Sequence, residues 1–162
     1  MTNRQSIHNA LLLWGSIFCL LAFFCMHLSR EIEREKKKCM LLMLFPSAVL
    51  LASDAVAWGF RGSPGSATRH MVLISNFLVF LFSDILLLIY HGYVCYWIFE
   101  KDPEEKRKNR KVNTVYVICA ADILLVCISQ ITHLYYYIDT QNYYYRNPGY
   151  YISILLPMLG ML

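Results

Sequence analysis

Charge is what this sequence has least of, and the shortage is concentrated. Only 16% of its 162 residues are charged, against about 25% in soluble domains. From Met71 to Phe99 (MVLISNFLVFLFSDILLLIYHGYVCYWIF) there is no Lys or Arg, and only Asp84 and His91 can carry charge. As a helix this stretch is roughly 43 Å long at 1.5 Å per residue. A bilayer's hydrocarbon core is about 30 Å thick, so the segment is long enough to cross it. Motifs are also missing. There is no GxSxG, HExxH, glycine-rich phosphate loop or paired cytoplasmic carboxylate motif, and no enzyme activity is expected of this chain. No basic face is present to meet nucleic acid. The six cysteines (Cys19, Cys25, Cys39, Cys95, Cys119, Cys127) show no CxxC or Cys/His ligand spacing. They read as small buried apolar residues, with neither a disulfide framework nor a metal or other cofactor expected.

What is there is 57% hydrophobic and 15% aromatic, with a mean hydropathy of +0.42. The apolar runs divide the chain into spans at about 9–28, 39–60, 71–99 and 112–135, with an incomplete fifth at 152–162. The first run is too long for a signal peptide, and no small-residue cleavage site follows it. In the second, Pro46 is a kink position, while Ala48, Ala52, Ser53 and Ala57 offer small surfaces for close helix packing. The last run, ISILLPMLGML, is too short to cross, since about 20 residues are needed. A fifth span cut off by the end of the sequence is expected, with a short re-entrant end as the alternative.

The few cations mark the sides. The segment 29–38 carries Arg30, Arg34, Lys36, Lys37 and Lys38, and the segment 100–111 carries Lys101, Lys106, Arg107, Lys108, Arg110 and Lys111. The positive-inside rule puts both loops in the cytoplasm and the amino terminus outside. The glycine- and proline-containing turn 61–70 holds only Arg61 and Arg69 and is expected outside. The expected class is therefore all-α: a polytopic membrane bundle of four complete spans plus a truncated fifth.

Polar residues within the spans are the candidate functional groups. Asp84 and Asp122 fall near the expected midplane, where a charged side chain costs on the order of 2.5–3.5 kcal/mol unless it is neutralised or paired. Helical spacing puts His91 on the face of Asp84, Ser129 and His133 on that of Asp122, and Ser47 and Arg61 on that of Asp54. Asp54, Asp84, His91, Asp122, Ser129 and His133 thus make up a candidate polar cluster. Two roles compete: hydrogen bonds that knit helices together, and a cavity that senses a proton, an ion or a small ligand. Tyr135, Tyr136, Tyr137, Tyr143, Tyr144 and Tyr145 form a candidate outer aromatic surface, either an interfacial belt or an aromatic-lined ligand site. Tyr90, Tyr93, Tyr96 and Trp97 would form the inner belt.

Two stretches resemble a known group. These are LLASDAVAWGFRGSPGSATRHMVLISNFLVFL (Leu50–Leu81) and ISQITHLYYYIDTQNYYYRNPGYYISILLP (Ile128–Pro157). Their distinctive parts are D-A-x-A-W-x-F-x-G at Asp54–Gly62, S-N-F-L at Ser75–Leu78 and Y-Y-x-I-D-x-x-N-x-Y at Tyr135–Tyr144. They are similar to the amino-terminal multi-span sensor region of signalling proteins from clostridial bacteria. Where that group's outer loop would end in Arg-Gly-Pro, this chain has Arg146, Asn147 and Pro148. The resemblance implies a bundle of about six or seven helices preceding a cytoplasmic output domain. That domain is a GGDEF-type diguanylate cyclase more often than a histidine kinase, and no catalytic residue carries over, because the output lies outside this sequence. The implied partners are the lipid bilayer of a bacterial cytoplasmic membrane, an unidentified ligand and, through the output, a second copy of the chain. A small transporter and a structural or assembly membrane protein are the rival classes.

Overall fold

The computed structural model describes residues 3–98 and 110–161. Four long helices dominate: α1 (Asn3–Leu28), α2 (Arg34–Phe60), α3 (Ser66–Ile98) and α4 (Arg110–Thr132). Beyond them come β1 (Tyr136–Ile138) and β2 (Tyr144–Arg146), paired as a two-stranded sheet, then a 3-10 turn (Pro148–Tyr151) and α5 (Ile152–Met161). Each of the four long helices contains a segment long and apolar enough to cross a membrane: 4–28, 34–60, 66–98 and 113–132. They are compatible with a helical membrane bundle. At 10 residues, α5 covers only about 15 Å. Most of the expected basic loop 100–111 lies outside the described residues.

Burial departs from that of a protein solvated by water. Ser16, Ser53, Ser75, Asp84, Asp122 and Ser129 are buried, while Ile7, Leu11, Trp14, Phe18, Leu21 and Leu28 are exposed. On α1 these exposed positions, with Cys25, recur at alternating steps of four and three. They draw one continuous apolar stripe along the helix. A stripe of that size in water would be an aggregation hazard; against lipid tails it is the ordinary outer face.

The chain forms two compact units. The first runs to Ser83 and includes Ile138–Tyr145; the second holds Asp84–Tyr137 and Arg146 onward. In the first, α1 packs on α2 through small residues. Ser16 Oγ donates to the Ala48 carbonyl (2.9 Å), and Gly15 lies against Leu51. Ala48, Ser53 and Ala57 are buried as expected, joined by Ala55. The α2 helix continues through Pro46. At the 28–38 turn, Lys37 Nζ donates to the carbonyls of His27 (2.6 Å) and Ser29 (2.7 Å). It thereby satisfies carbonyls that the end of α1 leaves open.

In the second unit α4 buries Val115, Cys119, Asp122, Val126 and Ser129, again at steps of three and four. Leu87 of α3 packs with Val115 and Cys119. All six cysteines are free, but Cys25 and Cys127 are exposed rather than buried. In a lipid solvent an apolar thiol has no reason to be covered.

The expected fourth span is too long by one turn. Helix α4 stops at Thr132, and His133 adopts φ +56°. That left-handed conformation ends a helix in the manner of a C-terminal cap. Two groups hold the turn: the His133 N–H bonds the Ser129 carbonyl (2.9 Å), and the Tyr135 N–H bonds Ser129 Oγ (2.9 Å). The tyrosine run therefore begins the following segment and is not part of the span.

A buried carboxyl pair as candidate functional site

The turn after α4 decides where Tyr135 goes. Once Ser129 has captured its backbone N–H, the Asn147 N–H bonds the Tyr135 carbonyl (3.0 Å), and Asn147 Nδ2 bonds the His133 carbonyl (2.5 Å). With the backbone pinned at both ends, the Tyr135 ring turns inward and is fully buried (0% exposed). Its hydroxyl donates to Asp122 Oδ1 at 2.7 Å. Asp122 is itself only 1% exposed, and Asp84 on α3 only 4%. The two carboxyls lie within hydrogen-bonding reach of each other.

Among the described residues, Oδ2 of each carboxyl is buried without a donor. A carboxyl pair can resolve this itself, since a proton held by one acid becomes a hydrogen bond to the other. Tyr135 then supplies the remaining neutral donor. The arrangement can hold and release a proton, or accept a small cation in a proton's place; among the described residues neither carboxyl forms an ion pair with Lys or Arg. No group of three or more His, Cys, Asp or Glu side chains suited to a metal occurs among the described residues.

No protein-family model, curated protein or solved structure matches this chain.

Of the polar residues singled out by spacing, Asp84, Asp122 and Ser129 meet around Tyr135. The others do not join them. His91 points to Cys95, with Nε2 3.4 Å from Sγ, and its ring meets Tyr116 edge-on at 5.2 Å. His133 is exposed, because the left-handed turn takes it off the helical stripe. Asp54 belongs to the first unit, beside His8 of α1. Two further polar residues of α3, Asn76 and Ser83, donate to the carbonyls of Val72 and Val79 in their own helix (2.7 and 2.8 Å).

The tyrosine surface also divides. Tyr137, Tyr143 and Tyr145 are exposed and Tyr144 is half-buried, but Tyr135 and Tyr136 are buried. Tyr136 donates to Gln130 Oε1 at 3.1 Å. Burial, followed by the bond to Asp122, pushes the Tyr135 hydroxyl well above the ordinary phenol range. Burial also raises that of Tyr136, with the Gln130 contact acting in the opposite direction.

Sequence reasoning missed a second centre, in the first unit. Asn142 is buried at φ +62°. Its Nδ2 donates to the Ser63 carbonyl (2.6 Å) and Thr68 Oγ1 (3.2 Å), and its backbone carbonyl accepts from the Gly62 N–H (3.1 Å). The turn around it is shaped by Asp139 Oδ1, which accepts from the N–H groups of Gln141 (2.9 Å) and Tyr143 (2.8 Å). The available signal was D-T-Q-N itself: Asp and Asn are the residues that bond their own turns and tolerate left-handed backbone.

Proposed function

We propose that the chain is the membrane-embedded sensory input region of a bacterial signal-transduction protein. The observation that supports this best is the Tyr135–Asp122–Asp84 connection. A side chain from outside the helices reaches the buried carboxyl that faces α3. A ligand, lipid or proton change that moves the segment after α4, or that changes the proton content of the pair, favours one packing of α3 on α4 over another. A shift between two packings is all that a sensor needs to pass on. In this reading the amino terminus is outside, loops 29–38 and 100–111 are cytoplasmic, and the membrane is the bacterial cytoplasmic membrane. The output is a cytoplasmic domain, a diguanylate cyclase ahead of a histidine kinase, and pairing of two chains occurs through that output.

The same acid pair favours one other reading, a small proton- or cation-coupled transporter, because intramembrane carboxyls are the usual ion carriers of such proteins. Asp84→Asn and Asp122→Asn in the full-length gene product separate the two. Sensing predicts an altered cyclic dinucleotide or phosphorylation output with the protein still folded in the membrane. Transport predicts lost uptake of a labelled ion into proteoliposomes. A loss of thermal stability with neither change would sink both readings and leave a packing role.

A further inference from the structure

In the first unit, the start of α1 and the end of α2 enclose a cleft of about 550 Å³ lined by Arg4, Gln5, His8, Trp58, Arg61 and Tyr143. Its cationic groups are the two guanidinium groups, and His8 of α1 meets the Trp58 ring edge-on (5.1 Å). Arg61 is held in place by packing more than by charge. Its guanidinium lies 5.1 Å from the Trp58 ring centre and 5.9 Å from that of Tyr143. Its Nη2 makes a long polar contact to the Tyr144 carbonyl at 3.5 Å. Arg61 Nε is buried with no acceptor among the described residues. Neither arginine has a carboxylate partner among those residues. Asp54, the nearest acid on α2, faces His8.

A buried guanidinium N–H without an acceptor is costly. Each guanidinium presents a fork of donors that phosphoryl oxygens satisfy, and Arg4 and Arg61 both line this cleft. The walls add a second requirement. Trp58 and Tyr143 sit where α2 leaves its apolar run, the depth at which aromatic side chains meet lipid headgroups. We propose that this cleft is a binding site for a phosphoryl anion, held by Arg4 and Arg61 between the Trp58 and Tyr143 rings. The phosphoryl group belongs either to an anionic phospholipid headgroup or to a soluble phosphate ester. The proposal stands on the cleft alone and does not depend on the sensory reading.

The test uses Trp58 as reporter. The full chain carrying Trp14→Phe and Trp97→Phe is placed in nanodiscs of phosphatidylcholine with brominated phosphatidylglycerol or, separately, brominated phosphatidylcholine. For a lipid source, Trp58 quenching gives a binding constant for phosphatidylglycerol about tenfold or more above that for phosphatidylcholine, as charge-assisted bonds to a guanidinium warrant. For a soluble source, the two lipids quench alike, and glycerol 3-phosphate added to unbrominated phosphatidylcholine discs shifts Trp58 emission saturably. Either response must fall about tenfold in Arg4→Gln, an exposed first-turn position whose loss leaves helicity and melting unchanged, and persist in Arg69→Gln, which removes an equal charge outside the cleft. Arg61→Gln is expected to lose the response too, and Arg4→Gln covers the case in which that variant does not fold. The proposal is overturned if neither probe acts on Trp58, or if Arg4→Gln and Arg69→Gln behave alike.

Discussion

Tyr135 shows how much one side chain can depend on its backbone. In sequence it is the first of three consecutive tyrosines, indistinguishable from its neighbours, yet the Ser129 and Asn147 bonds turn only this ring onto Asp122. Tyr135→Phe removes the 2.7 Å donor to Asp122 Oδ1 and leaves a buried oxygen unsatisfied, a loss of about 1–3 kcal/mol, measurable as a lower melting temperature in detergent. The pH dependence has a definite sign. Burial and the Asp122 bond raise the Tyr135 hydroxyl in the folded state, while an unfolded phenol ionises near pH 10. Its contribution is therefore complete below about pH 10 and is lost as the pH climbs from there toward the folded-state value. An alkaline absorbance titration of the phenols should show a late-ionising group that Tyr135→Phe abolishes. If the wild-type and Phe curves differ only in amplitude at the ordinary phenol midpoint, Tyr135 is not buried in this way.

At the scale of elements, α1 and α2 show that lipid and protein make different demands on a helix face. The α2 face toward α1 is built of small residues, and Ala48 is 2% exposed with its carbonyl bonded by Ser16. Ala48→Leu forces extra methylenes into that contact and should cost about 1–3 kcal/mol. Phe18, a much larger side chain, sits on the exposed stripe of α1, and Phe18→Ala should stay within about 0.5 kcal/mol. Chemical or thermal unfolding of the two variants in the same detergent compares them directly. The reverse order of the two losses would mean that the stripe is a packed interface. Much of this was legible beforehand: the small residues of α2 stood out because a membrane helix has few other ways to approach a neighbour closely. The end of α4 was not, because nothing local in Ile131, Thr132 and His133, with no Gly, Pro or Asn among them, signals the left-handed turn that His133 makes.

For the whole molecule, the prediction concerns sidedness. The cations of loop 29–38 against the sparse charge of turn 61–70 orient the proposed topology. In intact cells a membrane-impermeant maleimide should label Ser66→Cys, while Glu31→Cys should react only after permeabilisation, each measured against the parent chain with its six natural cysteines. Both positions are exposed in the structure, so a failure to label reports sidedness and not burial. The opposite pattern would invert the topology, placing the aromatic turns in the cytoplasm and removing the basis for an external stimulus.

The sequence by itself determined the four long helices and their solvent. Length and the scarcity of charge act within one segment, and an apolar run of about twenty residues or more with at most one or two charged side chains has few alternatives to a membrane helix. It also singled out Asp84 and Asp122, because an intramembrane carboxyl is conspicuous wherever it falls. Only the tertiary structure decided that these two meet, that Ser129 acts by holding the Tyr135 backbone, that His91 and His133 stand apart, that Asn142 is buried, and that Arg61 packs against Trp58 and Tyr143. Helical periodicity tells which residues of one helix share a face, but it carries no information about the register between helices. That register comes from side-chain packing and from turns such as those at His133 and Asn142, where single residues in left-handed backbone redirect the chain.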